Sequence, residues 1–375
     1  MLMTSPSLVP WRAEGKYSMG YALKDKQAFL KEWEELLVSA QDILITTHIR
    51  EDDDAIGSLL SLYSHLTRTY PTKKVKMAVS YATKPRWNQF KNFDLIQFDK
   101  DIADEIDQHD LLIIVDTANY DRVSYKPDIL AASHIKKMCI DNHESTERDA
   151  FDAMCIDLDT VSVSEMVYEL FYEQAAHILR DDAEAMMLGI LGDSIWFTLN
   201  LAPKKVKVFT IVERLLREGQ IDLETFKEKF WLEPSQTFLI MQNAMSHATF
   251  YEIPGWPKFL CSYIDREFVE KHKFSDADLS VGMSAYTADF NKTLSDVPWG
   301  ISLYPQKDGS IKASLRSRPG SVNVRVIAET MGLGKGHDGA SGMVFPSNGE
   351  TLQPAEAVEE FLEFLKTHTP VKYEH

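Results

Sequence analysis

Four short apolar runs, each ending in a polar or acidic residue, restrict this chain to few folds. They are ILITTH (43–48), KVKMAVSY (74–81), LLIIVD (111–116) and KKMCID (136–141). Continuous apolar runs of this length suit strands buried on both faces of a mostly parallel sheet. Parallel neighbours need crossover connections, and helical patterns lie where such crossovers belong. Ile56, Leu59, Leu60, Tyr63 and Leu66 recur at helical spacing, which predicts a helix over Ala55–Tyr70. Further helices are expected over Ser164–Leu179 and Asp182–Gly192. A sheet of this class binds its ligands at the carboxyl ends of its strands, which is where the polar residues stand.

With 375 residues the chain has room for two domains. The stretch from Pro203 to Ala248 reads as helical, with Pro203 suited to a first helical turn. After Pro254-Gly255-Trp256-Pro257 the pattern changes. KFLCSYI (258–264), WGISLYPQ (299–306) and SIKASLRS (310–317) read as strands, QKDG (306–309) as a hairpin turn, and 276–290, 322–331 and 354–367 as helices. The fold class expected is therefore α/β: an N-terminal mostly parallel sheet flanked by helices, plus a smaller C-terminal α/β domain. The boundaries are a lead-in over 1–27, a first domain over 28–200, a helical connector over 201–248 and a second domain over 249–375.

Composition narrows the setting. The chain is 44% hydrophobic and 26% charged, as a globular soluble protein is. Its longest apolar runs, such as Leu111–Val115, are too short to span a bilayer, and the first twenty or so residues lack a signal peptide's apolar stretch, so no membrane partner is expected. Cys139, Cys155 and Cys261 are widely spaced and form no CxxC pattern, which fits a reducing cytoplasm. A formal charge of −17 argues against coating long duplex nucleic acid. It leaves open a pocket in which carboxylates gather cations and the cations hold phosphate.

The segment His48-Ile49-Arg50-Glu51-Asp52-Asp53-Asp54-Ala55-Ile56-Gly57-Ser58 carries the sharpest chemical signal. A strand ends at His48 and a helix begins near Asp54, so one imidazole and several carboxylates share a short turn. His48, Asp52 and Asp54 can converge there on hard divalent cations. An acidic run is also what a solvated helix N-terminus looks like. Asp116 closes LLIIV, Asp141-Asn142-His143 closes KKMCI, and Asp193 closes the helical run MMLGIL. A single Asp at a strand end is ordinarily a turn or cap residue. The four segments gain weight jointly, because each delivers such a residue toward one sheet edge.

HIREDDDAIGS resembles the first motif of the DHH phosphoesterases, His-x-x-(Pro)-Asp-x-Asp-Ala-x-Gly-Ser. IVDTANYDR resembles the second motif, IDNHES the Asp-His-His motif, and GILGDSIWF the fourth, Gly-Ile-x-x-Asp-Thr-x-x-Phe. VSVSEMVYEL matches the Ser-x-x-Glu helix between the third and fourth. SLRSRPGSVNVRVIAETMGLGKGHDGASG resembles the DHH-associated C-terminal domain. The resemblance covers roughly 40–345 and points to the two-domain RecJ-like branch, with its nanoRNase/pAp phosphatases and cyclic-di-AMP phosphodiesterases.

That resemblance implies two divalent cations, Mn2+ or Mg2+, and hydrolysis of a short oligonucleotide or small nucleotide by a metal-activated water. Carried over, His48 and Asp52 would hold one ion, Asp54 and Asp193 the other, and Asp116 would bridge them. His143 would contact the scissile phosphate. Asn142 stands where the family has its first His, and its amide oxygen would favour the harder Mg2+. In the second domain Gly334, Gly336 and Gly342 would admit a phosphate close to the backbone. Lys335, His337 and Arg316 would contact the ligand, although Leu333 and Lys335 interrupt the family's glycine run. The ligand would enter a cleft between the domains, and a homodimer would match related two-domain members. Asn142 and the interrupted glycines also keep open a nucleotide binder without turnover, and an exopolyphosphatase-like hydrolase is a third reading.

Overall fold

The computed structural model describes residues 26–80, 87–143, 150–198, 205–231, 235–291, 294–347 and 349–374. Pro203, Tyr81 and the lead-in up to residue 25 lie outside the described residues. The chain divides into two compact units, the first ending at Leu232 and the second beginning at Glu233.

In the first unit α1 (Lys26–Ser39) leads into β1 (Asp42–Thr46), α2 (Asp53–Thr69), β2 (Lys74–Ala78), β3 (Ile96–Gln97), β4 (Leu111–Val115), α3 (Pro127–Ala132), β5 (Lys136–Asp141) and β6 (Ala153–Ile156). The six strands lie in the order β3-β2-β1-β4-β5-β6 and every pairing is parallel. Ile43 of β1 sits between Val75 of β2 and Leu111 of β4. The expected mostly parallel sheet is thus wholly parallel. Every residue of β4 is buried, as a strand covered on both faces must be. The strand order reverses direction between β1 and β4, which makes that gap the topological switch point of the sheet.

α2 starts on an N-cap at Asp52, whose carboxylate accepts the Ala55 N–H at 3.1 Å. It buries Ile56, Leu59, Leu60, Leu62 and Leu66. After β6 come α4 (Val163–Val167), a single π-turn over Tyr168–Tyr172, and α5 (Arg180–Asp193). The helix expected to run to Leu179 therefore stops early. Arg214 explains the stop: its guanidinium donates to the carbonyls of Tyr172, Glu173 and Ala175, the groups a longer helix would have used internally. Arg214 lies on α6 (Val208–Gly219), which is followed by α7 (Leu223–Trp231).

The second unit takes the rest of the expected connector. Its first helix, α8 (Ser235–Ser246), packs Ile240 and Ala244 against Leu279, Met283 and Tyr286 of α10 (Asp276–Phe290). Between them lie β7 (Thr249–Tyr251), β8 (Phe259–Tyr263) and α9 (Arg266–His272). β9 (Trp299–Pro305), β10 (Ile311–Ser317), α11 (Val324–Thr330), β11 (Gly334–His337), β12 (Ala340–Phe345) and α12 (Pro354–Thr367) complete the unit. The second sheet runs β11-β12-β10-β9-β8-β7, antiparallel except for β8 with β9. One face, with Trp299, Ile301, Leu303, Ile311, Ala313, Leu315, Met343 and Phe345, forms a core with Val324, Ile327, Val358 and Phe361 from α11 and α12.

Candidate metal centre

The residues after β1 and β4 meet at the switch point. His48 Nε2 lies 3.2 Å from Asp116 Oδ2 and 3.6 Å from Asp52 Oδ2, while Nδ1 lies 3.0 Å from the Ile49 carbonyl. Asp116 is buried, and its φ of +65° is a left-handed conformation uncommon for a side chain other than glycine. The turn that carries His48 is pinned by the Ile49 N–H, which donates to the Arg122 carbonyl at 2.6 Å. At the end of β5, buried Asp141 accepts from His143 Nδ1 at 2.8 Å and from the His143 N–H at 3.2 Å. His143 Nδ1 also lies 3.7 Å from Asp116 Oδ1.

Two sets of potential ligand atoms result, each with its members within 4.8 Å of one another: His48, Asp52 and Asp116, and Asp116, Asp141 and His143. Asp116 belongs to both. Two buried acceptors in this region, Asp116 Oδ1 and Asn142 Oδ1, have no hydrogen-bond partner. Buried acceptors left in that state are costly unless a donor or a cation meets them.

Asp54 and Asp193 reach the same neighbourhood from two helices. Asp54 is wholly buried; its Oδ2 accepts the Val163 N–H at 2.6 Å and its Oδ1 the Ser164 N–H at 2.9 Å, so it holds the start of α4. Burial and then the Asp116 charge push Asp54 well above the usual carboxylate range. Asp193, the last residue of α5, is pushed up by burial and by the charges of Asp54, Asp116, Asp52 and Asp53. Burial likewise raises Asp116. For His48 burial disfavours the charge, but Asp116 and Asp52 outweigh it and raise the imidazole to about 10. Carboxylates that raise one another in this way can serve as donors to a cation, because a bound cation removes the repulsion. Hard oxygen donors with one imidazole suit Mn2+ or Mg2+.

Asp141 was named with Asn142 and His143 as closing its strand but was given no role of its own. It shares the strand-end position of Asp116, and that position was the available signal.

In the second unit the glycine segment is an edge strand, not a loop. A Cβ on Gly334 would come within 1.9 Å of the Gly342 carbonyl oxygen, and one on Gly336 within 2.6 Å of the Ala340 carbonyl oxygen. Both glycines are therefore required by the close approach of β11 to β12. Register places His337 opposite Ala340, and Ala340 opposite Arg316; Lys335 is opposite Gly342. Arg316, Lys335 and His337 thus share the face turned away from the core, around the small residues Ala340 and Gly342. Lys335 and His337 are exposed, and Arg316 donates to its neighbour's carbonyl, Leu315 O, at 2.9 Å.

Residues 42–190 match the N-terminal domain of the DHH family. Over 155 residues the chain is 34% identical to the bifunctional oligoribonuclease and PAP phosphatase NrnA of Bacillus subtilis; the match covers 40% of this chain and 46% of that protein, less than half its length. Over 300 residues it is 25% identical to the probable bifunctional oligoribonuclease and PAP phosphatase NrnA of Streptococcus mutans, covering 80% of this chain and 88% of that one. The fold is that of an exopolyphosphatase-related protein from Bacteroides fragilis, with a TM-score of 0.75, 24% identity and coverage of 93% of this chain and 99% of that one. Among the described residues no helix is long and apolar enough to cross a membrane.

Proposed function

We propose, from the match of residues 42–190 to the N-terminal domain of the DHH family, that this chain is a metal-dependent phosphoesterase acting on short oligonucleotides or small nucleotides of the pApA, pAp and cyclic-di-AMP class. The observation that carries the reading is the meeting of His48, Asp52 and Asp116 at the switch point of a parallel sheet, with the buried carboxylates Asp54 and Asp193 close enough to feel the Asp116 charge. The names of the NrnA relatives support the substrate class.

His48 and Asp52 would hold one divalent cation, Asp54 and Asp193 would contribute to the other, and Asp116 would serve both. Asn142 would offer its buried, unpartnered Oδ1. A bound pair of this kind supplies charge stabilisation on phosphoryl oxygens and an acidified water. His143 has Nδ1 engaged by Asp141, which leaves Nε2 to hydrogen-bond a phosphoryl oxygen. The same hydrogen bond, set against partial burial, raises His143 and favours its donor form. Asp141 fixes the ring from the buried side. The face bearing Arg316, Lys335 and His337 is the proposed nucleotide-binding surface of the second unit.

The test is hydrolysis of pApA, pAp, cyclic-di-AMP and polyphosphate with Mn2+ or Mg2+, by wild type and Asp116→Asn. The expected product is linear pApA from cyclic-di-AMP, mononucleotide from pApA, or mononucleotide and phosphate from pAp. The Asp116 variant should lose more than the roughly 100-fold typical of an outer-shell partner. Turnover of polyphosphate alone, or of nothing with either cation, refutes the reading.

A further inference from the structure

Positions 53 and 192 are among those the motif patterns leave open: the residue between the two aspartates of Asp-x-Asp, and the residue before the aspartate of the fourth motif. Here they are Asp53 and Gly192, and they touch. A Cβ on Gly192 would lie 2.4 Å from Asp53 Cβ, so the absence of a side chain at 192 lets the first residue of α2 rest on the last turn of α5. From another side, buried Trp87 donates its Nε1–H to Asp53 Oδ1 at 2.8 Å. Asp53 stands between Asp52 and Asp54, and Gly192 directly precedes Asp193. The contact is made in spite of charge, since Asp53 is among the carboxylates that push Asp193 upward. Helix ends bearing like charges separate unless something holds them.

We propose that Trp87, Asp53 and Gly192 are positioning residues that fix the spacing between Asp52 and Asp54 on α2 and Asp193 on α5, and so set the affinity of the centre for divalent cations. None of the three needs to touch the ion. Trp87 holds Asp53, Asp53 holds the helix start, and Gly192 sets how near the two helices come. The inference rests on the metal-centre reading above.

Calorimetric titration of the full chain with Mn2+ tests it, without reference to turnover. Asp53→Asn and Asp53→Ala both remove the charge, but only Asn keeps an acceptor for the indole N–H. Asp53→Ala and Trp87→Phe should each weaken Mn2+ binding about tenfold, the usual cost of losing an outer-shell partner. Asp53→Asn should bind more tightly than Asp53→Ala. The double variant Trp87→Phe/Asp53→Ala should be no weaker than either single one, because both break the same hydrogen bond.

Melting of the metal-free proteins separates this from ordinary packing. A variant that melts lower yet binds Mn2+ like wild type refutes positioning, as does equal binding by Asp53→Asn and Asp53→Ala. If wild type binds no Mn2+, the metal-centre reading itself falls and takes this inference with it. If wild type binds and the variants match it, only the inference falls.

Discussion

Asp116 combines an uncommon backbone conformation with a central place among the candidate ligands of the first unit. It leaves β4 in a left-handed conformation, its Oδ2 faces His48, and its Oδ1 is buried with no hydrogen-bond partner. Left-handed backbone costs an L residue on the order of 1–2 kcal/mol, least for Asn and Asp. The cost is tolerated where the geometry places a functional atom. With His48 raised to about 10, the imidazole holds its proton at neutral pH, while burial and mutual repulsion push Asp54 and Asp193 up. Ligands must be deprotonated to bind a metal, so Mn2+ binding at pH 7 should release protons. The sign follows: His48 and the raised carboxylates shed protons as pH rises, so apparent Mn2+ affinity climbs as pH rises through neutrality. Calorimetry in two buffers of different ionisation enthalpy would read the proton count. An affinity independent of pH between 6 and 8 would contradict the prediction.

Two helices make the site compact because they meet without side chains between them. A Cβ on Gly57 would lie 2.5 Å from the Ala185 carbonyl oxygen, and one on Gly189 would lie 2.0 Å from Ser164 Oγ and 2.4 Å from Asp54 Oδ1. Gly189→Ala should therefore destabilise the first unit by roughly 1–3 kcal/mol, since the Ser164 side chain and the buried Asp54 carboxylate must both move. Gly342→Ala is the contrast: its Cβ would meet nothing nearer than the Ala313 carbonyl oxygen at 3.9 Å, and its urea midpoint should stay near wild type. Equal midpoint shifts for the two would refute this account. Elements of this kind were unevenly legible in the sequence. The buried strands announced themselves because a strand covered on both faces has only apolar positions to show. The helices at 276–290 and 354–367 carry their own start signals, Ser275 with Asp278 and Gln353 with Glu356, so their bounds were readable locally. The early end of the helix after Val167 was not, because it depends on Arg214, more than one helix further along the chain. The strand Gly334–His337 was not among the expected strands for a related reason: glycines do not look like strand residues until β12 is seen to press against them. His48, Asp116 and His143 were legible as strand ends, whereas Asp141 reveals its use only through the ring it holds.

Across the whole molecule, the candidate metal ligands and the cationic sheet face fall in different units. Both candidate ligand sets lie in the first unit, and no such set of His, Cys, Asp or Glu occurs among the described residues of the second. The second unit instead presents Arg316, Lys335 and His337 on a sheet whose opposite face is its own core. Each unit has a separate apolar core, so heating need not melt the chain in one step. A ligand that binds only the folded form adds about 2.7 kcal/mol at a hundred times its dissociation constant. For a unit of this size each kcal/mol moves the midpoint by roughly 2–4 °C. Mn2+ at that excess should therefore raise the melting of the first unit by about 5–10 °C, and EDTA should reverse it. The second unit should melt at the same temperature with or without the cation. Scanning calorimetry of the full chain resolves the two transitions, and Asp116→Asn should abolish the shift in the first. A rise in both transitions, surviving in Asp116→Asn, would place the cation's contacts outside the β1/β4 switch point and would remove the physical basis for assigning catalysis to the first unit.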